Sequence, residues 1–131
     1  HEIRGVTLLG SNDWVDHDLL SIARRHVRGA VVSTPFYSES EVPFVTEFVN
    51  GYKETFASDP DATSAEAYDA MNLVLVQLAS GRSGRDGIRA GLLDTRAYPG
   101  ATGVLTMHPS GNARRRPFLL RVKGGRFSPL D

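Results

Sequence analysis

The residue types best suited to meet a small molecule stand together near the start of the chain, at Ser11, Asn12, Asp13 and Trp14. Three hydrogen-bonding side chains and an aromatic ring are the materials of a polar-solute site, where a few placed polar groups fix orientation. Tyr37 offers a second ring, because it too follows a predicted strand. A purely structural role explains the same residues: Asn12 or Asp13 as a helix N-cap, and Trp14 as a hydrophobic staple. The residue types alone leave both readings open.

Other chemistries are poorly supplied. The histidines are His1, His17, His26 and His108, and no two have the i, i+4 spacing of a helical zinc pair. With no cysteine there is neither a thiolate metal site nor a disulfide framework. Neither residues 9–13 nor residues 80–84 form the Gly-x-Ser-x-Gly elbow of a serine hydrolase, so nucleophilic catalysis is not expected. The glycine-rich stretch 81–87 lacks the Lys-Ser/Thr ending of a phosphate loop and reads as a loop between helices. Neither an enzymatic activity nor a cofactor is expected. Arg114-Arg115-Arg116 is a basic run without interleaved aromatics, which suits a solvated hairpin tip better than a nucleic-acid patch.

Fifteen basic side chains balance fifteen acidic ones, so no long-range field gathers nucleic acid or a membrane surface. No apolar run approaches the ~20 residues that span a bilayer. The chain opens on His1-Glu2-Ile3-Arg4, directly ahead of a predicted strand, and the expectation is a portion of a longer protein.

The elements that must hold these residues follow from periodicity. Val6, Leu8 and Leu9 predict a short buried strand that Gly10 stops, and a turn at Ser11–Asp13 opens a helix over about 16–27. Arg24, Arg25 and Arg28 fall in that helix's last turn, where cations suit the helix dipole, and Gly29 is its stop. Residues 30–33 make a second strand, giving a parallel β-α-β unit, and residues 34–41 a connection. In an open α/β sheet the turn after the first strand lies where such folds bind ligands.

Pro43 opens the most clearly amphipathic helix, with Phe44, Val45, Phe48, Val49, Tyr52 and Phe56 on one side. Thr63 and Glu66 have capping-box spacing ahead of a helix to about residue 80, apolar over a wide face and so expected to be largely buried. Within it, Tyr68 and Asp69 read as a core tyrosine beside a polar face. Ile88, Leu92 and Leu93 mark a shorter helix, and residues 98–103 carry no periodic signal and read as a link. Strands over 104–107, 117–123 and 126–128, separated by turn residues, make the C-terminal third antiparallel. The fold class is α/β.

The order of motifs resembles a known family. The pieces are Leu8-Leu9-Gly10-Ser11-Asn12-Asp13-Trp14, Val27-Arg28-Gly29-Ala30-Val31-Val32, Phe48-Val49 with Tyr52-Lys53 and Phe56, then Ala67-Tyr68-Asp69-Ala70. Gly100-Ala101-Thr102-Gly103, Ser110-Gly111-Asn112 and Leu120-Arg121-Val122-Lys123-Gly124-Gly125-Arg126-Phe127 complete them. Together they resemble the C-terminal portion of type 1 periplasmic solute-binding proteins, the leucine/isoleucine/valine-binding group of ABC-transporter receptors. The resemblance implies a partial two-lobed fold, with residues 1–34 and 103–131 in one lobe and the helical part 35–102 in the other. It implies a non-enzymatic receptor that holds a small polar, amino-acid-like solute between lobes and hands it to a membrane permease. The ligand would meet Ser11, Asn12, Asp13, Trp14 and Tyr37. Asn12 stands where the family's amino-acid receptors carry an acid that grips the ligand's ammonium group, so such a grip here needs Asp13 to turn into the cleft. A periplasmic location follows, or that of an outer-membrane lipoprotein of the same fold that activates a peptidoglycan synthase by contact. The faces of helices 43–57 and 64–80 would need cover from another chain, a second copy in a dimer, or altered packing.

Overall fold

The computed structural model describes residues 5–15 and 17–130. His1 and Asp16, the latter the expected start of the first helix, lie outside the described residues, as do the side chains of His17 and Arg24. In chain order the elements are β1 (Leu9–Gly10), α1 (His17–Ala23), β2 (Val31–Thr34), α2 (Pro43–Phe56), α3 (Ala62–Ala79) and α4 (Gly84–Leu93). Five strands follow: β3 (Tyr98–Gly100), β4 (Gly103–Met107), β5 (Ala113–Arg114), β6 (Phe118–Lys123) and β7 (Arg126–Pro129). They divide into two compact units, one reaching Pro35 and resuming at Pro117, the other spanning Phe36–Arg116.

The first unit is a four-stranded mixed sheet in the order β1-β2-β6-β7. β1 and β2 are parallel, with Leu9 opposite Val31, and α1 with a 3-10 turn at Arg24–Val27 forms the crossover. β6 runs antiparallel to both β2 and β7. Strand alternation sorts the side chains: Leu120 and Val122 are buried while Leu119, Arg121 and Lys123 are exposed. Val27, Ala30 and Val122 form the core, with Trp14, Leu20, Ala23 and Phe127 packed against them. The buried strand expected over 6–9 is corrected. Only Leu9–Gly10 is strand, and Val6 and Leu9 are 60% and 76% exposed. β1 is an edge strand with one neighbour, and Leu9 shares its sheet face with the exposed Arg121 through Val31. Ile22, expected on the apolar side of α1, is likewise exposed.

In the second unit α2 begins with proline in its first turn and buries Val45, Phe48 and Val49 of the side its spacing predicts, while Phe44 and Tyr52 are half-buried and Phe56, in its last turn, is exposed. Phe36 meets Phe48 edge-on, with ring centroids 5.7 Å apart, and Tyr68 of α3 meets the same ring at 4.8 Å. α3 buries the stripe Ala65, Asp69, Leu73 and Gln77, while Tyr68, Met71, Leu75 and Leu78 on its other side are about half exposed or more. The expectation of a largely buried helix is therefore corrected. Buried contact runs along one i, i+4 stripe, where Gln77 fits against Gly91 of α4 so closely that a side chain there would collide with it.

The cap of α3 also differs from the expected Thr63–Glu66 box. Asp61 is the N-cap, and its Oδ1 accepts from the Ser64 backbone N–H at 2.7 Å and from Ser64 Oγ at 2.6 Å. Glu66 instead pairs with Arg115. The link expected over 98–103 is a hairpin: β3 pairs antiparallel with β4, which pairs with β5 in a three-stranded sheet. The antiparallel C-terminal third is thus shared, β3–β5 belonging to the second unit and β6–β7 to the first.

Candidate functional site

Glycine at position 10 lets the chain turn tightly at the end of β1, because any side chain there would strike the Trp14 indole. The turn that follows is a single 3-10 turn, Asn12–Trp14, closed by Trp14 N–H donating to the Ser11 carbonyl at 3.0 Å. Ser11 precedes it in extended conformation without a side-chain cap. Its hydroxyl donates to Asp13 Oδ2 at 3.4 Å, and both residues are exposed. Trp14 is half-buried against the core of the first unit.

Asn12 is held from the neighbouring strand. Thr34, the last residue of β2 and 1% exposed, donates its hydroxyl to Asn12 Oδ1 at 2.8 Å. Asn12 and Thr34 thus sit side by side at the carboxyl ends of the two parallel strands, the edge at which open α/β sheets take ligands. Thr34, expected in the connection, is the last residue of β2. Its alternation with the buried Val32 is the signal that places it inward on β2. Ser11, Asn12, Asp13 and Trp14 are brought together in one turn, whereas Tyr37 belongs to the second unit. There its hydroxyl donates to Glu39 Oε2 at 3.0 Å. Partial burial raises the Tyr37 phenol above its ordinary value, and the Glu39 hydrogen bond and charge add to this.

A second polar cluster lies within the second unit. Asp69, 2% exposed, accepts from Ala101 N–H at 2.7 Å through Oδ1. Its Oδ2 takes Thr102 N–H at 2.8 Å and the Thr102 hydroxyl at 2.6 Å. Arg115 donates to Thr102 Oγ1 at 3.0 Å and pairs with Glu66 one turn before Asp69. A Cβ on Gly100 would stand 2.5 Å from Asp69 Oδ2, so glycine lets the hairpin backbone close onto the carboxylate. Asp69 is therefore not on a polar face beside a core tyrosine. It is the buried member of the pair and Tyr68 the exposed one. The readable signal was its i±4 relation to Ala65 and Leu73. With both oxygens engaged, Asp69 is an anchor for the β3–β4 turn and offers nothing to a ligand.

No family model matches the chain, and no curated protein does. Solved structures do. A Rhodospirillum rubrum protein described as a branched-chain amino acid ABC transporter superposes with a TM-score of 0.88 at 24% identity, over 96% of this chain and 37% of that one. The leucine-binding protein LivK of Thermotoga maritima gives 0.78 at 25% identity, over 98% and 37%. A Rhodopseudomonas palustris solute-binding protein solved with 3,4-dihydroxybenzoic acid gives 0.75 at 21% identity, over 96% and 36%. The chain spans little more than a third of each of these proteins. It carries, over that portion, the α/β fold of the type 1 periplasmic solute-binding proteins that serve ABC transporters.

Proposed function

We propose that this chain is the C-terminal portion of a non-enzymatic ABC-transport receptor, and that the receptor binds a small polar, amino-acid-like solute in the periplasm for delivery to a membrane permease. The observation that carries the reading is the superposition of nearly the whole chain on substrate-binding proteins, at a TM-score of 0.88 for one of them. In this reading the two compact units belong to opposite lobes of the complete receptor. The turn at Ser11, Asn12, Asp13 and Trp14 supplies one set of ligand contacts and Tyr37 another. The remainder of such a receptor covers the apolar side of α3 and the exposed face of the first sheet, which this chain leaves bare.

Isothermal titration of the full-length protein with amino acids, hydroxy acids and benzoates tests the proposal. Saturable heat with at least one of them is expected. The absence of heat with every one, from a protein shown to be folded by circular dichroism, would overturn it.

A further inference from the structure

Three cations stand together on the outward face of the first sheet, toward the end remote from the Ser11–Trp14 turn. Thr34 pairs with Phe118 at the carboxyl edge of β2, whereas Arg121 pairs with Val31 and Lys123 lies two residues further along β6. Alternation puts both side chains on the exposed side of β6, away from the buried Leu120 and Val122. Arg126 faces Lys123 across the β6–β7 hairpin, and Ser128 faces Arg121. Among the described residues none of the three cations forms an ion pair, and no acid occupies an outward position on the four strands. Like charges directly opposite weaken a strand pair, so Lys123 and Arg126 carry a cost that an anion would relieve. Beside them is a cavity of about 240 Å³ lined by Arg121, Lys123, Ser128, Pro129 and Leu130.

We infer that this cavity is a binding site for the dianionic phosphate group of a small phosphate monoester, separate from the turn at Ser11–Trp14. The Arg121 guanidinium is a planar fork that fits two phosphate oxygens, and the Lys123 ammonium is a compact charge for the third. The Ser128 hydroxyl adds a donor, and Pro129 and Leu130 give the ester's apolar part a wall. The number of cations selects the class. A phosphate monoester carries about −1.5 to −2 at neutral pH, which answers several cations better than the single charge of a carboxylate or a phosphodiester. The inference does not depend on the receptor reading, and it is compatible with it. A cover laid over Leu9 and Leu119 stops short of the hairpin, because burying cations without partners is costly.

The test is amide NMR of the full-length protein, titrated with phenyl phosphate and with methyl phenyl phosphate, which keeps the ring and drops one charge. Saturable shifts at residues 120–130 are expected with phenyl phosphate, at an affinity about fivefold or more above that of the diester. Added salt should weaken both. Arg121→Gln combined with Lys123→Gln, two exposed positions, is expected to lower the phenyl phosphate affinity about tenfold or more in a protein of unchanged circular dichroism. No saturable shift at these residues with millimolar phenyl phosphate overturns the inference, as does equal binding of the diester or an unchanged affinity in the double variant. Shifts produced by phosphatidylglycerol vesicles and not by phenyl phosphate would make this face a membrane contact and overturn it too. None of these results bears on solute binding at the Ser11–Trp14 turn, so the receptor reading stands or falls by its own titration.

Discussion

Two oxygens of Asp69 take three hydrogen bonds from Ala101 and Thr102 in a site almost sealed from solvent, so the carboxylate's contribution is concentrated in one residue. Hydrogen bonds to an ionised acceptor are stronger than neutral ones, and stranding their donors in the interior is costly. Asp69→Asn sets an amide NH2 against a backbone N–H whichever way it turns. A loss of about 3 kcal/mol in urea unfolding is expected, and a loss below about 1 kcal/mol would show that the hairpin finds other partners. The same carboxylate acts on Tyr98. Burial first, and then the charge of Asp69 with a smaller effect of Tyr68, raises the Tyr98 phenol above its ordinary value. A folded-state value above the unfolded one means the native protein holds that proton more tightly. The resulting stability is complete below the unfolded tyrosine value of about 10 and is lost as pH rises through the higher folded one. Thermal unfolding between neutral and strongly alkaline pH should therefore fall less steeply in Tyr98→Phe than in the natural protein.

Helices and strands were unequally legible, and the reason is physical. α2 and α4 were readable because a helix packed on one side must repeat its apolar residues every three or four positions. β2 was readable from its β-branched run, and β6 and β7 from the apolar and aromatic residues on either side of the Gly124-Gly125 turn. β3 was not, because three residues including Pro99 and Gly100 carry no alternation, and Asp69 fastens the turn after them from thirty-two residues away. In the candidate site the turn residues stood out by type, but Thr34 did not, since only strand pairing brings it beside Asn12. The cap of α3 shows the same limit on a local scale. Thr63 and Glu66 have the right spacing, yet Asp61 reaches the open N–H of Ser64 while Glu66 goes to Arg115. Asp61→Ala is expected to cost about 1 kcal/mol of stability at neutral pH. Bonds from the Ser64 hydroxyl and N–H hold the Asp61 carboxyl below its ordinary value. Its contribution is thus present above the unfolded value and lost as pH falls through the lower folded one. Denaturation curves of the two proteins should be separate at pH 7 and draw together in strong acid. A constant separation would mean the charge is not involved.

For the whole molecule the distribution of apolar surface matters more than its amount. Tyr68, Met71, Leu75 and Leu78 lie along one side of α3 and are 47%, 60%, 50% and 47% exposed, while the opposite stripe is buried. Leu9 and Leu119 are exposed on the first sheet at 76% and 45%. A row of exposed apolar side chains along one side of a helix, as on α3, is rare on a free monomer and marks a face that something covers. In the receptor reading the cover is the rest of the same protein, which the solved relatives possess and this chain spans only to about 37%. The 131-residue chain by itself is then expected to associate as its concentration rises, with α3 as the adhesive element. Replacing Met71 with Glu and Leu75 with Lys puts opposite charges at i, i+4 on that side, a pair that favours the helix by a few tenths of a kcal/mol. Neither side chain is part of the buried stripe, so the cost to folding should stay within about 0.5 kcal/mol per site. Sedimentation velocity should show the natural chain shifting to larger species with concentration and the double variant shifting much less, at equal helical content. Association that is equally strong in the variant would move the adhesive surface away from α3 and toward the sheet face that carries Leu9 and Leu119.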